Sequence, residues 1–249
     1  MPLEHKVAVI YGGGGAIGGA VAHAFAREGA RVFLAGRTQS KLDAVANDIN
    51  DRDGVAHTAV VDALDEAAVN AYVDAIVAQV GQIDISFNVI GTGDVQKPLL
   101  ELSVADFLQP ITNAMRSQFH TTKAAARHMI KRSSGVILTF GGGGPQTLHG
   151  LGGFKVSLDA MEGLRRQWAI ELGPHNIRVV TLKTGGIPES IPATLPIRDE
   201  ITAALTKDTL LGRTATLADV GNVAAFVASD LARTLTSTEV NISCGAIVD

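Results

Sequence analysis

Eight residues near the start, Gly12-Gly13-Gly14-Gly15-Ala16-Ile17-Gly18-Gly19, restrict this 249-residue chain more than any other stretch. They follow the apolar run Val7-Ala8-Val9-Ile10 and lead into an alanine-rich helical pattern from Ala20 to Arg27. A strand that turns through glycines into a helix N-terminus gathers backbone amides and the positive end of the helix dipole at one point, with no Cβ to hold an anion away. That arrangement suits a phosphate. A flexible linker has no need of apolar segments on both sides.

Short branched-aliphatic runs recur at 6–11, 31–35, 55–61, 83–89, 135–140, 177–183 and 238–242, with helical patterns between them at 17–28, 39–50, 65–80, 101–132, 153–172 and 217–229. Each run is bounded by Gly, Asn or charged residues, as buried parallel strands are. The alternation predicts one α/β domain over 1–249, a Rossmann-type doubly wound parallel sheet of about seven strands joined by right-handed crossovers. Thr38 or Ser40 is placed to cap the second helix, and Asp219 to favour the start of the last. Segment 184–216 carries Pro188, Pro192 and Pro196 and fits no strand. It reads as an excursion over the sheet edge that lines a substrate pocket, with Ile187, Ile191, Leu195 and Ile197 as an apolar wall. Ligands of such folds bind outside the carboxyl ends of the strands, where the strand order reverses.

Composition narrows the function classes. Hydrophobic residues make up 46% and aromatics only 4%, so the core is large and aliphatic. A net charge of −4 leaves no broad basic face for nucleic acid. The single cysteine, Cys244, excludes an internal disulfide and fits a reducing compartment. The start, Met1 to Lys6, lacks a signal-peptide layout, and no run of 18 apolar residues suggests a membrane span. A cytoplasmic protein without membrane contact is expected.

Gly13-x-Gly15-x-x-Gly18 satisfies the dinucleotide fingerprint in its proper context, after a first strand and opening a first helix. A second strand ends about 20 residues on, where an NAD-selective protein places an acid on the ribose hydroxyls. This chain reads Ala35-Gly36-Arg37-Thr38 there. Arg37 offers the planar fork that matches a 2′-phosphate, so NADP(H) is expected in preference to NAD(H), which remains possible.

From Lys6 to Asp249 the chain resembles the short-chain dehydrogenase/reductase family. Tyr11 to Gly18 maps onto the family's Thr-Gly-x-x-x-Gly-Ile-Gly, which makes Gly12, Gly14, Gly15, Ala16, Ile17 and Gly18 cofactor contacts by resemblance. Asp62, with Ala63 beside it, matches the aspartate that contacts adenine, and Asn88-Val89-Ile90-Gly91 stands where Asn-Asn-Ala-Gly is usual. Gly81-Gln82-Ile83-Asp84 leads into the fourth strand in the family's manner, and Leu211-Gly212-Arg213 to Ser229-Asp230 match its C-terminal segment. Asn113 matches the catalytic asparagine, and Lys155 the catalytic lysine that also holds the nicotinamide ribose. Thr184-Gly185-Gly186-Ile187 occupies the Pro-Gly-x-Ile site that contacts the nicotinamide amide. The resemblance also implies a homodimer or homotetramer built on the helices around 103–132 and 153–172, where Leu164, Trp168 and Leu172 suit either such a face or packing on the sheet.

The pattern breaks at the proton donor. The family's tyrosine stands four residues before the lysine; here that residue is Leu151, and Gly141-Gly142 replaces the family's serine pair in a loop about four residues shorter. The tyrosine position seven before the lysine, used by enoyl reductases, is Leu148. Tyr11 and Tyr72, the only tyrosines, lie in the glycine motif and in a helix away from the crevice. His149, Lys183, Thr139 and the Gly141–Gly144 amides are the substitutes that remain to be weighed. A positioned proton donor contributes about 10²–10⁴-fold, so its loss slows hydride transfer without forbidding it. Three readings stand: an NADP(H)-dependent oxidoreductase acting on a small carbonyl or alcohol, with Asn113 and Lys155 as its catalytic residues; an NADP(H)-binding sensor or regulatory subunit without turnover; and a purely structural module, which the glycine loop speaks against.

Overall fold

The alternation of short apolar runs and helices closes into one sheet. A computed structural model describes residues 1–145 and 147–248. Its strands are β1 (Val7–Tyr11), β2 (Arg31–Gly36), β3 (Val55–Val60), β4 (Ile85–Asn88), β5 (Gly135–Gly141), β6 (Ile177–Lys183) and β7 (Thr238–Asn241), all parallel, in the order β3-β2-β1-β4-β5-β6-β7. The helices are α1 (Ala16–Arg27), α2 (Gln39–Asn50), α3 (Glu66–Val80), α4 (Val104–Arg132), α5 (Gly152–Leu172), α6 (Arg198–Lys207) and α7 (Leu217–Ala228). The order reverses between β1 and β4, and both clefts described below open at that switch point.

Side chains alternate across each strand, so one sequence feeds two cores. Ala8 and Ile10 of β1 join Val136 and Leu138 of β5 in a core under α1, α2 and α7. Val9 and Tyr11 join Ile137 of β5 and Val179 of β6 in a second core under α3, α4 and α5. Both are aliphatic, as the composition predicts. Leu172 and half-buried Trp168 belong to the second core, so this stripe packs inward. Trp168 also lies 5.6 Å from Phe119 on α4.

Two boundaries differ from expectation. The expected helix 101–132 begins at Val104, after a short turn at Leu99–Glu101, because the Ser103 hydroxyl accepts from Asp106 N at 3.0 Å and caps it there. Segment 184–216 contains α6, which the expected elements did not include; none of its residues is fully buried, and Ile201 and Leu205 on its apolar side are half-buried. Thr38 is the N-cap residue of α2, yet its side chain makes no cap bond. Asp219 does more than expected, forming a reciprocal capping box with Thr216 at the start of α7.

Candidate active site and cofactor cleft

The glycine turn packs too tightly for any side chain at its key position. A Cβ on Gly18 would sit 2.2 Å from Gly12 O, backbone against backbone, and Gly12 itself has φ +85°. Gly15 is the N-cap of α1 and no side chain bonds the first-turn amides, whereas α3, α4 and α7 are capped by Asp65, Ser103 and Thr216. The uncapped helix opens into a cleft of about 570 Å³ whose walls include Gly12, Gly14, Gly15, Arg37, Thr38, Asp62 and Ala63. A diphosphate held by backbone amides fits this cradle, since the glycines put no side chain of their own between the first-turn amides of α1 and the cleft.

Around that cleft the expected residues fall as follows. Arg37 is exposed and carries no hydrogen bond or ion pair. Asp62 is exposed, with Oδ1 accepting from Leu64 N at 3.0 Å. Ala63 is buried and its carbonyl lies 3.3 Å from His120 Nδ1. Ala16 is exposed at the first turn of α1, and Ile17 packs partly on the core. Asn88 is buried, donating from Nδ2 to Thr121 Oγ1 at 3.0 Å and accepting from Ile90 N at 3.2 Å. Val89 N donates to Tyr11 O at 3.0 Å, which ties β4 to the glycine turn. Lys41, on the first turn of α2, also lines the cleft; sequence reading passed over it, although its place one turn after Arg37-Thr38 is a usable signal.

A second cavity of about 580 Å³ adjoins the first across Val89, Ile90 and Gly91, which border both. Lys155 lines the second cavity and Asn113 the first, where its Nδ2 donates to Thr92 O at 2.9 Å. The second cavity's walls are mostly apolar and include Leu148, Leu151, Phe154, Leu158 and Met161. From segment 184–216 the wall takes Thr184, Gly185, Gly186, Leu205 and Asp208, and not the expected Ile187, Ile191, Leu195 and Ile197. Ile187 is buried in the core against the α1–α7 side. Leu151 precedes α5 with helical backbone angles and shares the cavity with Lys155.

None of the side chains weighed as substitutes lines this cavity, although the backbone of Gly141, Gly142 and Gly143 borders it. His149 is exposed and does not line it. Lys183 is 3% exposed, pairs with Glu239 at 2.7 Å, and lies outside the lining. Thr139 bonds Thr181 at 2.8 Å within the sheet. The Gly144 amide donates to Asp159 Oδ1 at 3.1 Å, so it is not free for an oxyanion. Tyr11 and Tyr72 have hydroxyls without partners, and burial pushes both phenols above their usual range. At Gly142 the packing leaves no room for a side chain. A Cβ at Gly142, where φ is +110°, would lie 2.4 Å from Lys183 Cγ and 2.5 Å from its Cδ. The stem of Lys183 fills the room that a side chain at 142 would need.

Nearby is a buried polar network. Thr181 Oγ1 donates to Glu162 Oε1 at 2.5 Å, and Arg165 Nε donates to Glu162 Oε2 at 2.7 Å. Burial raises the Glu162 carboxyl above its ordinary range, and a hydrogen bond with Glu239 adds to this.

The family model described as enoyl-(acyl carrier protein) reductase matches residues 14–246, nearly the whole chain. The chain belongs to the short-chain dehydrogenase/reductase family. Relatives within it include an uncharacterized oxidoreductase of Mycobacterium tuberculosis, 31% identical over 98% of this chain and 92% of that one. The 7alpha-hydroxysteroid dehydrogenase of Escherichia coli is 28% identical over 98% of this chain and 95% of its own. A solved 7 alpha-hydroxysteroid dehydrogenase, complexed with NADH and 7-oxo glycochenodeoxycholic acid, superposes with a TM-score of 0.90 at 28% identity, covering 99% of this chain and 96% of that one. Within the short-chain dehydrogenase/reductase frame, the nucleotide cleft and the apolar cavity occupy the carboxyl ends of the strands. Among the described residues no helix is long and apolar enough to cross a membrane, and no His, Cys, Asp and Glu cluster is arranged to hold a metal.

Proposed function

We propose that this protein is an NADP(H)-dependent oxidoreductase of the short-chain type, acting on a small apolar carbonyl or alcohol without the family's usual proton donor. The cofactor reading rests on the end of β2, where Arg37 stands exposed and without a carboxylate partner. Thr38, with no cap bond to make, and Lys41 flank it in the same cleft. No acid stands at that turn to take a ribose hydroxyl pair. NAD(H) would meet the same glycine turn but gain nothing from the arginine. When bound, the nicotinamide supplies or accepts a hydride. The chain's part is then to hold the ribose through Lys155, to fix the backbone at the junction of the two cavities through Asn113 and Thr92, and to keep water away with Leu151, Phe154 and Leu158. Segment 184–216 is the proposed substrate loop, contributing Leu205 and Asp208 to the cavity. A homodimer or homotetramer through α4 and α5 is part of the proposal, supported by Phe119, which is 43% exposed beside Trp168.

The test is calorimetric titration of wild type and Arg37→Ala with NADPH and with NADH. Tighter NADPH binding is expected, and Arg37→Ala should cost roughly 10- to 100-fold for NADPH, the worth of a charge-assisted hydrogen bond, with NADH unchanged. Equal losses for both nucleotides would remove the NADP(H) reading.

One observation favours a second reading, an NADP(H)-binding sensor or regulatory subunit: the cavity wall at 151 is leucine. NADPH binding with no oxidation in single-turnover mixing across a broad panel of carbonyls would select it.

A further inference from the structure

The catalytic-type lysine is not loose in its cavity. Lys155 Nζ donates to Gly144 O at 2.6 Å and to Asp159 Oδ1 at 2.7 Å. Gly144 N donates to that same carboxylate oxygen at 3.1 Å. Three bonds therefore close a triangle between the Gly141–Gly144 loop and one turn of α5. The loop lies against the carboxylate, since a Cβ on Gly143 would come within 2.6 Å of Asp159 Oδ1. The lysine side chain is 16% exposed, and its residue lines the apolar cavity. An ammonium has three N–H bonds, and the triangle takes two of them, which leaves the direction of the third defined.

We propose that Asp159 is a positioning residue: its carboxylate docks the Lys155 ammonium onto the glycine loop, holds that loop down on α5, and aims the remaining N–H of Lys155 at a ligand oxygen. This clamp sets where Lys155, among the described residues the only cation of the cavity lining, points. An exposed Lys–Asp pair at this helical spacing contributes little by itself. The difference here is the shared third partner, Gly144, which ties the pair to another element. The inference rests on the cofactor reading above only in taking the ribose hydroxyls as the oxygen that Lys155 meets.

Two measurements separate the clamp from that reading. The first needs no nucleotide: the rate at which an amine-reactive ester acylates Lys155, followed by mass spectrometry. Asp159→Ala should raise that rate at least about fivefold. Asp159→Asn, whose amide oxygen still accepts from both donors, should stay near wild type. The second is NADPH titration, in which Asp159→Ala weakens binding about 3- to 10-fold in the Lys155 background and leaves it unchanged in the Lys155→Met background. An unaltered acylation rate in Asp159→Ala overturns the clamp. Equal weakening in both backgrounds overturns action through Lys155, and tighter binding in Asp159→Ala overturns the orienting role. If wild type binds neither nucleotide, the cofactor reading falls while the acylation rates still decide the clamp.

Discussion

The two cavities that meet at Val89–Gly91 have nearly the same volume, about 570 and 580 Å³, and are built on opposite principles. The nucleotide cleft is made of backbone. At two of its glycines an added Cβ would meet backbone below 3 Å, Gly12 against Val89 O and Gly18 against Gly12 O, and backbone cannot swing aside as a flexible side chain can. The apolar cavity is walled largely by side chains, and its loop glycines pack against side chains of other elements. Gly142 lies against the stem of Lys183, Gly143 lies against Asp159, and Leu151 forms part of the wall. A backbone-built site resists drift because each error displaces the chain itself. A side-chain-built site drifts readily, provided that neighbours change together.

The sharpest way to break this contrast is Gly18→Ala. The added methyl meets Gly12 O at 2.2 Å and Gly12 C at 2.8 Å, and neither is the end of a flexible side chain. The turn must move, at a cost on the order of 3 kcal/mol, with the amides carried away from the phosphate position. Thermal denaturation should report the destabilisation, and NADPH titration a loss of at least about 100-fold. Unaltered binding would mean that the cleft is not the backbone-built site described above.

What was legible in the sequence divides along the same line. The sheet and its switch point were readable because strand and helix periodicities are local, and the glycine turn because its spacing is local too. Asp159 was readable in principle, four residues after Lys155 on one helix face. The Gly142–Lys183 exchange was not, because it depends on the β5–β6 register, which pairs Gly141 with Lys183 across 42 positions of chain. His149 looked as near the crevice as Leu148 by spacing, but the loop turns Leu148 to the cavity and leaves His149 outside its lining. α6 escaped notice because its apolar stripe is short, Ile197, Ile201 and Leu205, and follows closely on Pro192 and Pro196.

A middle-sized effect is expected when the serine position is refilled. Gly142→Ser combines a left-handed φ of +110° with a Cβ 2.4 Å from Lys183 Cγ, and should cost about 2–3 kcal/mol in urea denaturation. In a Lys183→Ala background the Cγ and Cδ clashes disappear while the Cβ contact at 2.7 Å and the backbone strain remain, so the cost should fall to about 1–2 kcal/mol. A cost that is the same in both backgrounds would show that the Lys183 stem does not limit position 142, and the contrast between side-chain and backbone packing would lose its main support.

The smallest effect concerns pH and tests whether the network behind the cavity is as closed as its burial suggests. Glu162 is 3% exposed and faces Arg165 on its own helix, Thr181 on β6 and Glu239 on β7, whose carboxylate in turn pairs with Lys183. Desolvation holds its folded-state pKa above the unfolded value of 4.5. Below 4.5 both states carry the proton, and the carboxyl is neutral to the balance. As pH rises through that value the unfolded chain releases the proton while the folded chain retains it, so the folded state binds more protons and stability falls. The fall ends once Glu162 ionises in the folded protein. Glu162→Gln does not titrate, so the difference in unfolding free energy, wild type minus variant, should decline with pH above about 4.5 and then level off. Its slope cannot exceed about 1.4 kcal/mol per pH unit for a single group. A difference that is flat from acid to neutral pH would mean that Arg165 and Thr181 offset the burial in full, and that the polar side of this cavity is as settled as the glycine turn.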